Sequence, residues 1–215
     1  MKSLSNLQIG LIIAVFAALA SFAVTSAGAQ DQTIEVQTAE NTETAIFAGG
    51  CFWCVESDFD KLEGVLETVS GYTGGDSLNP TYESHKYDGH IEAVRISYDA
   101  DQISYEEMVD YFFRHIDPTD AGGQFCDRGT SYTTAIFALN DEQADIARES
   151  IGAIEASGVL PGPVVTPVRD ASAFYPAENY HQNYHVKAPL KYNFYRQACG
   201  RDARVREVWG AEVSG

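Results

Sequence analysis

Short runs of apolar residues recur along the chain between residues 44 and 168, with two kinds of spacing. Alternation with polar positions places apolar side chains on one face of a strand, whereas spacings of three and four place them on one face of a helix. The alternating or continuous runs predict five strands, at residues 44–48, 65–72, 91–98, 132–139 and 164–168. Helical spacing follows Cys51, Ser104 and Asn140, and therefore predicts three helices between these strands.

Capping and turn residues refine the ends of these elements. The first helix is predicted to run to Gly64, and Ser104 with Glu107 three residues later forms a capping box at the start of the second. Pro167 interrupts the fifth apolar run, so we expect that strand at an edge of the sheet. The aromatic-rich remainder of the chain is predicted to be loop-like, with one short helix near Tyr192.

The order of these elements predicts an α+β fold. Hairpin-length and helix-length links are mixed, which favours a two-layer sandwich of helices packed on a mixed, mostly antiparallel sheet. Within that class we expect a ferredoxin-like plait.

The first 29 residues are typical of a secretory signal peptide. Lys2 precedes an apolar stretch at residues 9–24, and Ala27-Gly28-Ala29 has the small residues of a cleavage site. We therefore predict a signal peptide at residues 1–29, a flexible linker at residues 30–43 and one folded domain at residues 44–215. The alternative is an uncleaved membrane anchor, because the apolar stretch is close to the lower limit for a span. In either case the folded part is expected outside the cytoplasm, in the periplasm or secreted.

The charge of the chain bears on its partners. With 31 acidic and 14 basic residues, the formal net charge is −17. This argues against a nucleic acid partner, because phosphate binding needs clustered lysine and arginine. The acidic residues are spread along the chain, so we interpret them as a solubilising surface.

The chain has four cysteines, Cys51, Cys54, Cys126 and Cys199. In an exported protein an even number suggests disulfides, with three possible pairings. Cys51, however, follows a predicted strand and two glycines and begins a predicted helix. The free N–H groups and the dipole of a helix start stabilise a thiolate. A reactive Cys51 with a lowered pKa is therefore expected.

Cys51 and Cys54 have the spacing of a dithiol redox motif. Alone, this spacing is compatible with a thioredoxin-like fold or with half of a zinc site. Zinc is disfavoured because the other two cysteines are isolated in the sequence. A thioredoxin-like fold is disfavoured because only one short strand precedes the motif and two large aromatic residues separate its cysteines.

Six sequence blocks occur in a defined order along the chain. They are GCFWCVE at 50–56, SGYTGG at 70–75, NPTY at 79–82, GHIEAV at 89–94, DRGTSY at 127–132 and FYPAENYHQ at 174–182. Together they resemble the peptide methionine sulfoxide reductase A family. The resemblance covers roughly residues 44–210 and makes the domain at 44–215 a catalytic one. Six blocks in the same order are far more specific than any single block.

The resemblance implies reduction of methionine S-sulfoxide, free or in oxidised proteins, with Cys51 as the nucleophile. Attack of a thiolate on the sulfoxide sulfur requires protonation of the oxygen, so a general acid is needed. Glu92 shares a face of the predicted strand with Val94 and Ile96, where burial would raise its pKa. The pattern alone equally allows a solvated Glu92 before the strand, and the resemblance favours the catalytic role.

Further residues receive roles from the resemblance. Tyr82 and Tyr132 match tyrosines that hydrogen-bond the sulfoxide oxygen, and Asp127 matches a carboxylate that acts through a water. Phe52 and Trp53 match an aromatic wall around the substrate methyl group, although packing on a helix face would also explain them.

Glu178 and His181, in the last block, are predicted to bind the substrate or to support the residues that do. Attack leaves Cys51 as a sulfenic acid, which a second thiol converts to a disulfide that a thioredoxin-like partner reopens. Cys199 is the predicted resolving cysteine, because the chain lacks the Gly-rich C-terminal tail that carries resolving cysteines in many family members. Cys54 is an alternative, although a bond across two residues would be strained. Cys126 is a further alternative, interpreted more simply as an idle thiol.

The resemblance also implies a monomer with no bound metal or organic cofactor, and no membrane contact unless the signal peptide is uncleaved. Two other interpretations stay open. One is a non-catalytic binding domain held together by disulfides, which requires Cys51 to be locked in a permanent bond. The other is a general disulfide oxidoreductase that uses Cys51 and Cys54 and does not need Glu92.

Overall fold

The computed structural model describes residues 40–210, which form eight strands and six helices. The strands are β1 (Thr42–Gly49), β2 (Val65–Thr73), β3 (Ile91–Asp99), β4 (Gly123–Gln124), β5 (Asp127–Arg128), β6 (Thr134–Ala138), β7 (Val168–Asp170) and β8 (Tyr175–Pro176). The helices are α1 (Phe52–Phe59), α2 (Tyr105–Arg114), α3 (Asp141–Ser157), α4 (Tyr184–Lys187), α5 (Pro189–Cys199) and α6 (Arg201–Trp209). Short 3₁₀ turns occur at His85–Tyr87 and Thr130–Tyr132.

The predicted signal peptide and most of the predicted linker, residues 30–39, lie outside the described residues, as do residues 211–215. The end of the linker is described. There, β1 begins two residues earlier than predicted, because Thr42 and Glu43 pair with Asp99 and Tyr98 of β3.

Six strands form one sheet in the order β7-β6-β1-β3-β2-β8. All neighbouring pairs are antiparallel except β6 and β7, which run parallel. A separate hairpin joins β4 to β5. The predicted α+β class with a mixed, mostly antiparallel sheet is therefore confirmed.

The two faces of the sheet carry different cores. The larger core lies under the helices and joins Phe47 of β1 and Ile96 of β3 to Val55 of α1 and Phe112 of α2. On the other face, residues of β1, β3 and β6 pack together beneath Phe174. Strand alternation places Glu92 of β3 on the helix-covered face.

The starts of α2 and α3 agree best with the predicted elements. The Ser104 capping box at the start of α2 is present, and Asn140 caps α3. By contrast, α1 ends at Phe59 rather than near Gly64, and β6 is shorter than predicted because Tyr132 lies in a 3₁₀ turn.

Two predictions for the C-terminal half are wrong in part. The last predicted strand lies at an edge as predicted, but it is Val168–Asp170 rather than 164–168, because the register with β6 begins with Val168 opposite Ile136. The segment after residue 174 was predicted to be loop-like apart from one short helix near Tyr192; α5 is that helix, but α4 and α6 were not predicted. Pro189 occupies the first position of α5, where its missing N–H group removes no hydrogen bond.

Arg201, at the start of α6, connects these C-terminal helices to the rest of the fold. It is only 2% exposed, and it donates hydrogen bonds to the backbone carbonyls of Gly49 and His115. Its guanidinium lies 3.6 Å from a carboxylate oxygen of buried Asp58 on α1. Arg196 of α5 pairs with the same carboxylate at 2.7 Å.

No helix within residues 40–210 is long and apolar enough to cross a membrane.

Arg201→Met should lower the free energy of unfolding by about 3–5 kcal/mol, because it removes one partner of a buried ion pair. Urea unfolding followed by circular dichroism measures the effect. Arg206→Met is a matched control, since Arg206 is exposed on the same helix and its replacement should change stability little. Equal stability of the two variants would show that the buried guanidinium is not a main support of the fold.

Candidate active site

The nucleophile candidate, Cys51, lies where β1 passes into α1 and is the N-cap residue of that helix. The chain turns there through Gly50, which has a φ of 84°. A Cβ on Gly50 would lie 2.6 Å from the Cβ of Gln124, so the β4–β5 hairpin packs closely against this turn. Gln124 is itself fixed by hydrogen bonds with the backbone of Asp117 at 2.9 and 2.8 Å.

Glu92 lies directly beside this helix start. Its side chain is 1% exposed, and its Oε2 accepts a hydrogen bond of 3.0 Å from the N–H of Phe52. Burial raises the pKa of Glu92 to about 8, against the lowering effect of the Phe52 N–H group. Near neutral pH the carboxyl group therefore holds a proton that it can donate.

The thiols of Cys51 and Cys54 are both free, buried and in contact. Burial, followed by the contact with Cys54 and the charge of Glu92, raises the pKa of Cys51. The hydrogen bond from Cys51 lowers the pKa of Cys54, and Arg201 and Arg196 lower it further, against the effect of burial.

The expectation of a lowered pKa for Cys51 is therefore contradicted in the substrate-free protein. The dipole of the short helix α1 does not compensate for the loss of water around the sulfur. The interpretation as a non-catalytic binding domain requires Cys51 to be locked in a permanent disulfide. Cys51 is a free thiol, so this requirement is not met.

Tyr82, Tyr132 and Asp127 also bring polar groups to the start of α1. Tyr82 and Tyr132 are joined by a hydrogen bond between their hydroxyls, and the negative charge of Glu92 helps to raise the pKa of each, after the larger effect of burial. Asp127, on β5, accepts a short hydrogen bond from the hydroxyl of Tyr195. Burial raises the pKa of Asp127, while Tyr195 opposes that shift.

These side chains line one small cavity of about 60 Å³. Its lining residues are Cys51, Phe52, Trp53, Tyr82, Glu92, Asp127, Tyr132 and Tyr195. Seven of the twelve candidates from the sequence therefore meet at one point. The apolar wall comes from Phe52 and Trp53, and the indole of Trp53 is held by Tyr184, whose ring stacks on it at 3.9 Å between centroids.

Glu178 and His181, predicted to bind the substrate, do not line this cavity. Glu178 accepts hydrogen bonds from the N–H of Tyr82 and the hydroxyl of Tyr72. The Nδ1 of His181 accepts a hydrogen bond of 3.0 Å from the indole N–H of Trp53. Both residues therefore hold the cavity lining in place rather than forming part of it.

Cys126 and Cys199, which were considered as resolving thiols, are joined to each other in a disulfide. Cys126 is exposed on the β4–β5 hairpin, and Cys199 is the half-buried last residue of α5. Among the described residues, Cys126, Asp127 and Cys199 are the one group with the spacing of metal ligands. Their sulfurs are bonded to each other and so are not free to coordinate an ion.

Tyr195 was missed as a site residue, although it lines the cavity. Its hydroxyl hydrogen-bonds the thiol of Cys51 and lowers the pKa of that thiol, and it also bonds Asp127. The available signal was its position four residues before Cys199, which places both on one face of a helix. Arg201 was missed because the predicted short helix near Tyr192 did not extend to α6, where Arg201 lies.

Gly50→Ala should destabilise the protein by about 1–2 kcal/mol, because an alanine side chain disfavours positive φ, and the contact with Gln124 adds to this cost. The rate of any reaction at Cys51 should fall with it, since the turn sets the position of the nucleophile. Thermal unfolding checks the first effect. Gly152→Ala is the control: this glycine lies inside α3 with nothing within 4 Å of the added Cβ. That change should stabilise the protein by up to about 1 kcal/mol.

Comparisons with known proteins agree on one family. A model of the family described as peptide methionine sulfoxide reductase matches residues 43–213. The chain is 55% identical to peptide methionine sulfoxide reductase MsrA 2 of Rhizobium meliloti over 172 residues, which are 80% of this chain and 86% of that relative.

Two solved structures are also similar. Methionine sulfoxide reductase A of Corynebacterium diphtheriae has 32% identity and a TM-score of 0.62, over 70% of this chain and 77% of that one. Mxr1 from Saccharomyces cerevisiae in reduced form has 27% identity and a TM-score of 0.63, over 69% of this chain and 87% of that one.

Proposed function

Since the chain belongs to the peptide methionine sulfoxide reductase family, we propose that it reduces methionine S-sulfoxide, free or in oxidised proteins, through Cys51. It is thus a peptide-methionine (S)-S-oxide reductase, a thiol-dependent oxidoreductase. The observation that carries the residue assignment is the position of Glu92. Glu92 is only 1% exposed, and its carboxyl group accepts a hydrogen bond from the N–H of Phe52, the residue after Cys51. It is therefore placed to donate a proton to a group that reacts with Cys51.

The shape of the cavity supports binding of a methionine sulfoxide side chain. Its methyl group fits against the apolar wall of Phe52 and Trp53. The sulfoxide oxygen then faces Glu92 and the hydroxyls of Tyr82 and Tyr132, which donate hydrogen bonds to the negative charge that develops on it. This orientation leaves the sulfur open to Cys51.

The reaction requires a sulfur nucleophile and one proton for the sulfoxide oxygen. The sulfur of Cys51 attacks the sulfoxide sulfur, and Glu92 protonates the oxygen, which moves to Cys51 as the sulfenic acid is formed. Methionine leaves with its sulfur electron pair restored. The thiol proton of Cys51 replaces the proton that Glu92 has donated, so the protein returns to its starting charge. Tyr195 helps at this step when its hydroxyl, which donates to Asp127 in the structure, turns to donate to Cys51, because that hydrogen bond favours the thiolate.

Glu92→Gln should lower the rate of the first turnover by about 10²–10⁴-fold, because the amide cannot supply the proton. In the wild-type protein that rate should fall as the pH rises above about 8, where Glu92 loses its proton. The variant should lack this fall. Rapid mixing of reduced protein with an S-sulfoxide peptide, followed by measurement of the methionine formed at each pH, tests both effects.

Glu67→Gln is the matched control for this experiment, because Glu67 is an exposed carboxylate on the neighbouring strand β2. It should leave both the rate and its pH dependence unchanged. A Glu92→Gln variant that keeps the wild-type rate would exclude Glu92 as the acid. Another group would then have to protonate the sulfoxide oxygen.

The resolving step has a nearer candidate than the one favoured by sequence. Cys54 is a free thiol in hydrogen-bond contact with Cys51, whereas Cys199 is bonded to Cys126. We therefore propose that Cys54 attacks the sulfenic acid of Cys51, which forms a disulfide and releases water. Cys199 can take this role directly only after its bond to Cys126 has opened.

This assignment is tested with protein in which the bond between Cys126 and Cys199 is closed. One turnover should consume two thiols, and peptide mapping should find Cys51 joined to Cys54. Cys54→Ser should still form one methionine, but should leave a sulfenic acid that a dimedone reagent captures. Loss of two thiols in that variant would assign the resolving role elsewhere. Cys51→Ser should form no methionine, and a wild-type protein that forms none would contradict the proposed function itself.

The partner, location and fine topology are further proposals. A thioredoxin-like dithiol is the reductant that a redox-active disulfide of this kind requires. The N-terminal pattern supports export to the periplasm or beyond, with a monomeric enzyme after cleavage. The antiparallel order β6-β1-β3-β2, with α1 after β1 and α2 after β3, supports assignment of the central strands to a ferredoxin-like plait.

A further inference from the structure

The proposed catalytic thiols are poorly accessible to another protein. Cys51 is 7% exposed and Cys54 is 2% exposed. The cavity above Cys51 is small, about 60 Å³, and is walled by Phe52 and Trp53. A methionine sulfoxide presents its sulfur three bonds from its Cα atom, whereas a cysteine of a partner presents its sulfur only two bonds away. A partner cysteine therefore reaches less far into the cavity than the substrate does.

The disulfide between Cys126 and Cys199 has the opposite character. Cys126 is an exposed residue at the turn between β4 and β5, whereas Cys51 and Cys54 are buried. The sulfur of Cys199 accepts a hydrogen bond of 3.2 Å from the N–H of Cys126. This contact stabilises a thiolate at Cys199 and so makes it the better leaving group when Cys126 is attacked.

Only one layer of side chains separates this disulfide from the cavity. The sulfur of Cys199 lies 3.8 Å from Oδ2 of Asp127, and the same oxygen is bonded to the hydroxyl of Tyr195. That hydroxyl also contacts the thiol of Cys51. Tyr195 and Cys199 are four residues apart on α5, so they share one face of the helix.

We propose that the disulfide between Cys126 and Cys199 is an electron entry port, through which a thioredoxin-like dithiol reduces the buried pair of Cys51 and Cys54. This role rests on the proposed function, which creates the disulfide between Cys51 and Cys54. It assigns a redox function to Cys126, which the proposed catalytic cycle otherwise does not use.

Each exchange in this route conserves electrons. A thiolate of the partner attacks the sulfur of Cys126 and releases Cys199 as a thiolate. The second thiol of the partner then attacks the partner sulfur that is bonded to Cys126. This frees Cys126 as a thiol and leaves the partner with a disulfide. Cys199 next attacks Cys51 and releases Cys54. Finally Cys126 attacks Cys199, which frees Cys51 as a thiol and closes the port again.

Two local features favour the inward steps. Gly200, next to Cys199, has a φ of 71°, and a Cβ added to it would meet nothing within 4 Å, so no neighbouring side chain crowds this side of the chain beside Cys199. Arg201 and Arg196 lie close enough to Cys54 to favour its thiolate. Cys54 is therefore a good leaving group when Cys199 attacks Cys51.

Cys126→Ala tests the port with the full mature chain. The first turnover of reduced protein, which reports on the proposed function alone, should stay within twofold of wild type. Steady turnover driven by thioredoxin, thioredoxin reductase and NADPH should fall at least tenfold. Gln197→Ala is the control, because Gln197 is exposed on the same helix and carries no sulfur. Unchanged thioredoxin-driven turnover overturns the port. A matching fall in the first turnover also overturns it, because the bond would then only hold the site together.

A second measurement uses wild-type protein and does not depend on how the variant folds. Thioredoxin whose second active-site cysteine is replaced by serine stays attached to the sulfur that it attacks. After mixing with the oxidised protein, peptide mapping should find it on Cys126. Attachment to Cys51 or Cys54 would overturn the port. If the thioredoxin variant attaches to Cys126 but the protein forms no methionine, the proposed function is contradicted. The exposed disulfide between Cys126 and Cys199 would then still be the one that thioredoxin attacks.

Discussion

The buried guanidinium of Arg201 is the contact on which the position of the nucleophile depends. It donates to the carbonyl of Gly49 where β1 ends and to that of His115 where α2 ends, and it faces Asp58 on α1. A buried charge is costly unless its donors find partners, so these three elements converge on one group. Because Arg201 begins α6, the C-terminal helices are part of the active site although they lie about 150 residues from Cys51 in the sequence.

The exclusion of water that this packing produces acts on two groups in different ways. It raises the pKa of Glu92 to about 8, which keeps the proton that the sulfoxide oxygen needs. It also raises the pKa of Cys51, which disfavours the thiolate that attack needs. Tyr195 partly offsets the second effect by its hydrogen bond to the thiol. The free protein therefore holds its nucleophile mostly unreactive, and the proton exchange between Cys51, Glu92 and the sulfoxide makes reaction depend on bound substrate.

The sequence predicts those parts of this arrangement whose signals are local. Periodicity and caps were enough for β1 to β3, α2 and α3, and the six blocks were enough for seven of the eight residues that line the cavity. Only a short helix near Tyr192 was predicted after residue 174, and neither the full length of α5 nor α6 was, so the roles of Tyr195 and Arg201 were not predicted. The expected low pKa of Cys51 was wrong for a related reason. The N–H groups of a helix start can be inferred from neighbouring residues, whereas burial depends on tertiary packing.

The four cysteines form two pairs that differ in how deeply they are buried. Cys51 and Cys54 lie beneath the cavity, while Cys126 and Cys199 join segments 73 residues apart near the surface. A bond that closes so long a loop restricts the unfolded chain and stabilises the fold whether or not it takes part in catalysis. An electron port must nevertheless open during each cycle. The ion pairs of Arg196, with Asp58 at 2.7 Å and with Asp202 at 2.6 Å, hold α5 to α1 and α6 without any help from the disulfide. The C-terminal helices can therefore keep their place while the bond is open, and this allows one disulfide to serve both stability and electron transfer.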